Sequence, residues 1–257
     1  MCTVTFLPRP TGYALAMNRD EKRARPPGLP PARKTIAGCV VVYPFEPGGG
    51  TWVALNERGA TLALINWYAV SARVQDDPVS RGVIIPALST AATPAMVGSG
   101  LARLPLERIN PFRLVGVFPF SRRVIEWRWD LKQRTRRQHR WRAQQWISSG
   151  FDEPGAQEVR GGVFRQALTQ ASAGTLDWLR RLHRSHMPEA GPFSTCMHRA
   201  DAVTVSYTEI SVVGLRAGIR SISGAPCERE ATASQALQLC PRAGCASVET
   251  HVTPGRV

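Results

Sequence analysis

The residues best placed to do chemistry stand near the start of the chain: Cys2, directly behind the initiator methionine, and the charged run "NRDE" at residues 18–21. A thiol with a pKa of about 8.5 is a weak nucleophile until a base takes its proton. An α-amino group titrates at about 7.7–8.0, so a cysteine that has become the first residue carries its own general base. This chemistry requires removal of Met1. The alternative is an ordinary free cysteine in an edge strand.

The charged run offers what such a nucleophile needs. A carboxylate can hold the α-amine, and a cation can lower the pKa of the thiol or bind an anionic substrate. We therefore predict that Arg19 and Asp20 organise the amine and thiol of Cys2, and that Asn18 and Glu21 contact substrate. A solvated strand end with an internal salt bridge is the alternative interpretation of the same four residues.

Two short strands must bring these groups together. "CTVTFLP" and "YALAMNRDE" have the β-branched and apolar pattern of strands, and "RPTG" between them is typical of a turn. A hairpin would return residues 18–21 to the side of Cys2. The Pro- and Arg-rich residues 22–35 are predicted to be an exposed loop, and "GCVVVYPF", "GTWVALNERG", "ATLALINW", "FRLVGVF" and "RVIEWRWDLK" are predicted strands.

The second half of the chain changes its pattern. Residues 153–173 and 175–186 have helical spacing, and "PFSTCMH" and "AVTVSYTEISVV" return to strand. Strands, then helices, then strands suit two sheets with helices packed outside them. One domain is predicted over residues 1–227. Residues 228–257 lose periodicity and are predicted to form a poorly ordered C-terminal tail.

The chain is basic, with Lys+Arg 33 against Asp+Glu 19 and a formal net charge of +14, which attracts polyanions. Residues 122–146, "RRVIEWRWDLKQRTRRQHRWRAQQW", interleave tryptophans with arginines, a pattern that suits base stacking and phosphate neutralisation. A twisted hairpin with inward tryptophans and outward arginines explains the segment better. We therefore predict no specific nucleic-acid partner, and a basic nucleic-acid-binding protein remains a third hypothesis.

Six cysteines without a CxxC pair indicate neither a disulfide scaffold nor a zinc finger. The start lacks a signal-peptide pattern and no apolar run is long enough to span a membrane, so a soluble, reducing, cytoplasmic setting is expected. Cys196 and His198, with His183 and His186 nearby, could ligate haem or a metal. Their spacing matches no strong site, so the prediction is structural histidines, no metal site and no cofactor.

Several segments in order resemble a known family: "MC", "NRDE", "GGGTWVALNERGATLALINW" at 48–67, "WISSGFDEP" at 146–154 and "FSTCMHRADAVTVSYTEI" at 193–210. Together they are similar to the NRDE-motif family, which is related to the eukaryotic transport and Golgi organisation proteins. The resemblance covers roughly residues 2–215. That family is assigned to the N-terminal nucleophile (Ntn) hydrolase superfamily, so the resemblance implies an α+β fold, a four-layer αββα sandwich.

The resemblance also implies roles for individual residues. Penicillin V acylase and bile salt hydrolase, the cysteine members of the superfamily, share a pattern similar to "LNERGATLALINW". In them the asparagine matching Asn66, or a tyrosine near it, helps form the oxyanion hole, and Trp67 beside it is a candidate substrate contact. An Arg and an Asp after the first strand assist the nucleophile there; Arg19 and Asp20 are the matching types at a different spacing.

The resemblance also suggests roles for two residues later in the sequence. Arg199 resembles the active-site arginine of the superfamily, with a surface salt bridge to Asp201 as the alternative. Ser148 stands where the acylases have an asparagine, and it is a candidate substrate contact. Either this protein forms its oxyanion hole differently, with the serine in place of the asparagine, or its reaction is not amide hydrolysis.

The expected function is therefore that of an Ntn-type amidohydrolase or acyl hydrolase. Cys2 would attack a small-molecule amide or thioester, with Asn66 as oxyanion donor. The alternative is a non-catalytic protein that handles or traffics haem or acyl-CoA, because eukaryotic members of the family have been connected with both. The residues identify neither the acyl group nor the leaving group.

Overall fold

Two antiparallel sheets packed face to face form the centre of the computed structural model, which describes residues 2–231 and 233–240. The strands are β1 (Cys2–Arg9), β2 (Gly12–Lys22), β3 (Leu29–Ile36), β4 (Cys39–Phe45), β5 (Val53–Asn56), β6 (Thr61–Asn66), β7 (Phe112–Phe118), β8 (Arg123–Trp129), β9 (Arg134–His139), β10 (Gln144–Ser148), β11 (Ala202–Val213), β12 (Arg216–Ser223) and β13 (Ala233–Gln238). The helices are α1 (Ile84–Leu88), α2 (Pro94–Leu101), α3 (Glu153–Ala167) and α4 (Leu176–Arg184).

The strand order places segments from both ends of the described chain in one sheet. The first sheet has six strands in the order β10-β1-β2-β11-β12-β13, and the second has seven in the order β3-β4-β5-β6-β7-β8-β9. Strand β1 is thus flanked by β2 and by β10, which comes from the middle of the sequence. The predicted hairpin is confirmed: β1 and β2 pair antiparallel, with Cys2 opposite Arg19.

Apolar layers lie on both faces of each sheet. Alternate residues of β1 and β2, such as Val4, Phe6, Leu15 and Met17, pack between the sheets against residues such as Leu55. Helices α1 and α2 cover the outer face of the second sheet, and α3 and α4 cover the outer face of the first. The result is the α+β, four-layer αββα arrangement that the resemblance implies.

The turn of the β1–β2 hairpin depends on a close backbone approach. A side-chain carbon at Gly12 would lie 2.1 Å from the carbonyl oxygen of Val212 in the neighbouring strand β11. Only glycine fits there, because no backbone atom at that distance can be displaced by a rotamer change.

Three segments differ from the sequence predictions. Part of the predicted loop 22–35 forms β3, an edge strand on β4 that tolerates its prolines because an edge has an unpaired side. The predicted strand at 192–198 is a loop whose backbone is satisfied locally: Cys196 N–H bonds Ser185 and His198 N–H bonds Gly191. In the predicted tail, β13 pairs with β12 and completes the sheet. The rest of the tail, residues 232 and 241–257, lies outside the described residues.

The tryptophan- and arginine-rich segment forms the β8–β9 hairpin and strand β10. Trp127, Trp129 and Trp146 are buried, whereas the arginines of β9 are exposed, as the hairpin interpretation predicts. Those three rings therefore offer no surface for base stacking. In the described part of the chain, no helix has both the length and the apolar character needed to cross a bilayer.

Candidate active site

Cys2 is the first residue of β1 and lies at the end of the space between the two sheets. Its side chain is 7% exposed. It is directly opposite Arg19 of β2 on one side and Ser148 of β10 on the other. Side chains of directly opposite residues in an antiparallel sheet share a face, so all three point between the sheets.

A cleft of about 270 Å³ opens beside Cys2. The first sheet contributes Cys2, Arg19 and Glu21, and the second contributes Asn66 at the end of β6. The remaining lining comes from Arg25, Glu46, Thr51, Trp52, Leu64, residues 78–82 and Asn110. The structure therefore brings together four of the residues predicted from the sequence, on strands from both sheets.

Arg19 is held on two sides and open on a third. Its guanidinium contacts the carboxylate of Glu46 and lies 4.4 Å from the centre of the Trp52 ring. Glu46 is also bound by Arg25, at 2.8 Å. Nη1 of Arg19 is buried and has no hydrogen-bond partner among the described residues. A buried charged donor of this kind favours an anionic or carbonyl ligand in the cleft.

A second cation, Arg81, faces the same cleft. It donates from Nη1 to the carbonyl oxygen of Pro111 at 3.1 Å, and it has no carboxylate partner within residues 2–231 and 233–240. Burial lowers the pKa of its guanidinium, although arginine stays protonated at neutral pH. The sequence analysis did not single out Arg81 or Glu46, because nothing in the sequence shows that residues 46 and 81 face Cys2.

The thiol of Cys2 is a poor acid in this environment. Burial raises its pKa and the neighbouring carboxylates of Asp20 and Glu21 raise it further, whereas the positive charges of the amino terminus and of Arg19 lower it. The thiol is therefore protonated at neutral pH. Chemistry at Cys2 requires a base that takes the proton at the moment of attack.

The amide of Asn66 is poised as a donor. Nδ2 of Asn66 donates to the hydroxyl of Tyr68 at 2.8 Å, which leaves the second N–H of the amide for another acceptor. The backbone N–H of Tyr68 is fixed by the carboxylate of Glu153 at 2.8 Å. The resemblance points to an asparagine or a nearby tyrosine as oxyanion donor, and here the two side chains are hydrogen-bonded to each other.

Asp20 supports strand β1 from its other face. Oδ1 accepts from the hydroxyl of Thr204 at 2.7 Å and Oδ2 accepts from Nη1 of Arg160 at 3.2 Å. Arg160 is fully buried and also donates to Oγ1 of Thr3 at 2.8 Å. Since Cys2 is opposite Arg19, Asp20 lies one residue further, toward the amino end of Cys2. Helical spacing gave no sign that Arg160 would reach this strand.

Asn18 does not line the cleft, so the geometry gives no support to the prediction that it contacts substrate. Strand alternation turns it to the helix-facing side. Its Nδ2 donates to the carbonyl oxygens of His183 at 2.9 Å and Thr195 at 2.8 Å, and its Oδ1 accepts from Nδ1 of His183 at 3.0 Å. Asn18 is fully buried with these bonds made, so it fixes α4 and the following loop to the sheet.

Ser148 and Trp67 have different environments. Ser148 is buried opposite Cys2, and its hydroxyl has no hydrogen-bond partner among the described residues. Trp67 points away from its neighbour Asn66 and lines a separate depression with Arg113 and Arg128, whose guanidinium carbon lies 5.7 Å from the ring centre. The candidate substrate contact Trp67 therefore lies outside the cleft beside Cys2, because alternation at the end of β6 places it on the opposite side.

Arg199 lines a depression that adjoins the cleft. It pairs with Asp201 at 2.9 Å and lies 4.5 Å from the centre of the Phe151 ring. The depression also includes Tyr68, and it shares Glu21 and Arg25 with the cleft. The structure thus forms the salt bridge to Asp201 and places Arg199 next to the cleft, outside its lining.

Known structures share this architecture at low sequence identity. A mutant of the conjugated bile acid hydrolase from Clostridium perfringens aligns with a TM-score of 0.55 and 8% identity over 93% of this chain and 97% of that chain. Penicillin V acylase from Agrobacterium tumefaciens gives 0.53 and 11% identity over 87% and 83%. A second variant of the bile acid hydrolase gives 0.52 and 8% over 98% and 100%. At these identities the likeness concerns the fold.

The sequence comparison adds the family. No curated protein sequence matches significantly. The family model described as Transport and Golgi organisation 2 matches residues 1–125, which include Cys2, the "NRDE" run and Asn66. Residues 1–125 are therefore similar in sequence to the Transport and Golgi organisation 2 family, and the chain shares its fold with a conjugated bile acid hydrolase and a penicillin V acylase.

Proposed function

We propose that this protein is an N-terminal-cysteine acyl hydrolase that acts on an amide or thioester once Met1 has been removed. The observation that carries the proposal is the position of Cys2: it lies at the head of β1, in a cleft lined by Arg19 and Asn66. The similar structures are those of a conjugated bile acid hydrolase and a penicillin V acylase, which supports the same reaction class.

The amine of Cys2 is the base that the buried thiol needs. In the proposed first step the amine takes the proton of Sγ while sulfur attacks the carbonyl carbon, and the carbonyl π electrons move to oxygen. Asp20, on the amino side of Cys2, would hold the resulting ammonium, and Arg19 would stabilise the thiolate. The amine pKa, ordinarily about 7.7–8.0, suits transfer in both directions near neutral pH.

The oxyanion is proposed to accept from Asn66 and from the hydroxyl of Ser148. Asn66 has a free N–H, and Ser148 has a buried hydroxyl that the described residues leave without a partner. Collapse of the intermediate breaks the carbonyl bond to the leaving group, which departs with the proton from the ammonium. Water then attacks the Cys2 thioester, with the amine again as base. The products are a carboxylic acid and the free amine or thiol.

The substrate class follows from the charges that face the cleft. Arg81 has no carboxylate partner among the described residues, and Arg19 has an open nitrogen. We propose that they bind a negatively charged group on the acyl part or the leaving group. Arg199, in the adjoining depression with Glu21, would contact the part of a long substrate that extends beyond the cleft.

The test is intact mass of the purified protein before and after exposure to a panel of activated acyl amides and acyl thioesters. The expected result is absence of Met1 and one acyl adduct on the wild type. Cys2→Ala is the matched variant, because a small second residue still permits Met1 removal. Cys240→Ala, a cysteine outside the cleft, should label like the wild type and controls for nonspecific acylation.

Retention of Met1 would overturn the proposal, since no α-amine would then lie on Cys2. Equal labelling of wild type and Cys2→Ala would also overturn it. A trimmed chain that no acyl donor labels, but that shifts the Soret absorbance of added haem, would favour the non-catalytic haem-handling alternative.

A further inference from the structure

A second group of chemically active side chains lies outside the cleft: His186, Cys196, His198 and Cys227. One atom from each of them, two imidazole nitrogens and two sulfurs, can be chosen so that all four lie within 4.8 Å of one another. Four metal-ligating atoms at such distances are uncommon without a shared partner, because bare thiols and imidazoles gain little from mutual contact.

Four of the six separations between these atoms are close to the edges of a small tetrahedron. The two Nε2 atoms of His186 and His198 are 3.2 Å apart, and the two sulfurs of Cys196 and Cys227 are 3.4 Å apart. Nε2 of His198 lies 3.7 Å from the sulfur of Cys196 and 3.3 Å from that of Cys227. Zinc bonds of about 2.0–2.1 Å to nitrogen and about 2.3 Å to sulfur require ligand separations of about 3.3–3.8 Å in a tetrahedron.

The fold holds these atoms in place through the backbone of two loops. Cys196 and His198 lie in the loop between α4 and β11, where Cys196 N–H donates to the carbonyl of Ser185 at 3.0 Å. The hydroxyl of Ser194 donates to the carbonyl of Cys196 at 2.6 Å. Cys227 comes from the loop after β12, so the cluster joins two segments that are far apart in sequence.

We propose that His186, Cys196, His198 and Cys227 form a tetrahedral Zn²⁺ site. Two thiolates and two neutral imidazoles match the charge and the borderline softness of zinc. All four coordination positions come from the protein, which is the arrangement of structural zinc sites, whereas catalytic sites keep one position open. The ion would therefore stabilise the two loops.

The loop that carries this site also supports the nucleophile strand. The backbone N–H of Met197, between two of the ligands, donates to Oγ1 of Thr204 at 2.8 Å, and that hydroxyl donates to Asp20. Nη2 of Arg160 donates to the carbonyl of Pro192 in the same loop at 3.2 Å. The zinc ion would thereby hold Thr204 and Arg160 against Asp20, behind Cys2.

The first experiment measures metal content in full-length protein made without a histidine tag. After dialysis against a chelator that removes loosely bound ions, elemental mass spectrometry should find about one zinc per chain. Cys227→Ser should lower this content at least about tenfold, in line with the loss of one of four ligands. Cys240→Ser, a cysteine outside the cluster, should keep the wild-type content.

A second measurement does not depend on the folding of any variant. Wild-type protein, stripped of metal in denaturant and refolded with Co²⁺ in place of Zn²⁺, should show the intense visible bands of tetrahedral cobalt and a thiolate charge-transfer band. Adding Zn²⁺ should abolish both. Octahedral cobalt bands without charge transfer would overturn the site.

Three other outcomes would also overturn it. The protein could contain no zinc under these conditions, or Cys227→Ser could retain as much as the wild type. A non-reducing peptide digest could recover Cys196 and Cys227 as a disulfide-linked pair in the protein as purified. The proposal is independent of hydrolysis at Cys2, so a zinc-loaded protein without acylation would refute only the proposed function.

Discussion

The two cysteine centres of this protein differ in what lies beside the thiol: an open cleft in one, and three further metal-ligating side chains in the other. Beside Cys2, Arg19 and Ser148 have buried donors without partners among the described residues, and the cleft leaves about 270 Å³ open to a ligand. In the cluster formed by His186, Cys196, His198 and Cys227, the four ligand atoms lie within 4.8 Å of one another. Open donors suit a ligand that comes and goes, whereas a closed ligand set suits a permanent ion.

Arg160 connects the two centres. It donates to Thr3 beside Cys2, to Asp20, and to the carbonyl of Pro192 in the loop of the cluster. The two centres are therefore expected to respond differently to substitution. The closed region is the cluster of His186, Cys196, His198 and Cys227 together with Arg160 and the residues packed around them. Substitutions there should lower the free energy of unfolding. Substitutions in the open cleft should lower the rate of acyl transfer at nearly constant stability.

The largest expected effect is on stability, from Arg160→Met. It removes the fully buried guanidinium that pairs with the buried carboxylate of Asp20, which costs about 3–5 kcal/mol of unfolding free energy. Urea denaturation measures the loss. The control is Arg184→Met, which removes a pair with the exposed Glu230 and should leave the midpoint unchanged. Equal midpoints for wild type and Arg160→Met would show that the contacts of Arg160 do not contribute to the unfolding free energy.

Acid should weaken the closed region through His183. Burial, reinforced by Arg160, lowers the pKa of His183 to about 3 from an unfolded value of about 6.5. The unfolded chain therefore binds the extra proton first, and stability falls as pH drops from about 6.5 toward 3. The loss between pH 7 and pH 4 is on the order of 3 kcal/mol.

The comparison protein is His183→Gln, which keeps the cluster and loses the titrating group. Urea midpoints at pH 7, 5.5 and 4 should decline less steeply for this variant than for the wild type. If the urea midpoints of both proteins fell equally with pH, the acid sensitivity would come from groups other than His183.

In the open cleft, Asn66→Ala should slow acylation of Cys2 by about 10²–10³-fold, the usual effect of losing one oxyanion donor. Single-turnover mass spectrometry measures this rate, and the urea midpoint should stay close to that of the wild type. Tyr68→Phe removes the hydroxyl that accepts from Asn66 and separates the two candidate donors. If Asn66→Ala lowered the unfolding free energy strongly and left the acylation rate unchanged, Asn66 would have a structural role instead of a role in acyl transfer.

The smallest expected effect concerns Arg81. Arg81→Gln should lower kcat/KM for anionic acyl donors about tenfold, or about 1.4 kcal/mol, and leave uncharged analogues unaffected. Arg103→Gln removes an exposed arginine that does not line the cleft and should behave as wild type. Equal effects of Arg81→Gln on charged and uncharged donors would argue against recognition of an anion.

Much of the framework could be predicted from local pattern. The alternation in "CTVTFLP" and "YALAMNRDE" gave the β1–β2 hairpin, and with it the neighbourhood of Cys2, Arg19 and Glu21. The β8 strand was predictable for the same reason, because tryptophans and charges alternate along it. The strand β3 was not, since prolines indicate a loop unless the partner strand β4 is known.

The positions of Asn18 and Trp67 could not be predicted from the local sequence pattern. Each neighbours a cleft residue in sequence, yet alternation along a strand sends adjacent side chains to opposite faces. Alternation could have separated Asn18 from Arg19, but choosing which face holds the cleft requires the second sheet. The cluster shows the same limit, because Cys227 lies 29 residues beyond His198 and no spacing rule joins them.

The sequence by itself determined the two-sheet class, the resemblance to the NRDE-motif family and the candidate nucleophile, because these depend on short-range alternation and on the order of motifs. Only the tertiary structure decided that Arg81 and Glu46 face Cys2, that Arg160 supports Asp20, and that two distant loops bring four metal-ligating atoms together. The physical reason is that packing of sheets and loops sets distances between residues remote in sequence, and no local propensity encodes those distances.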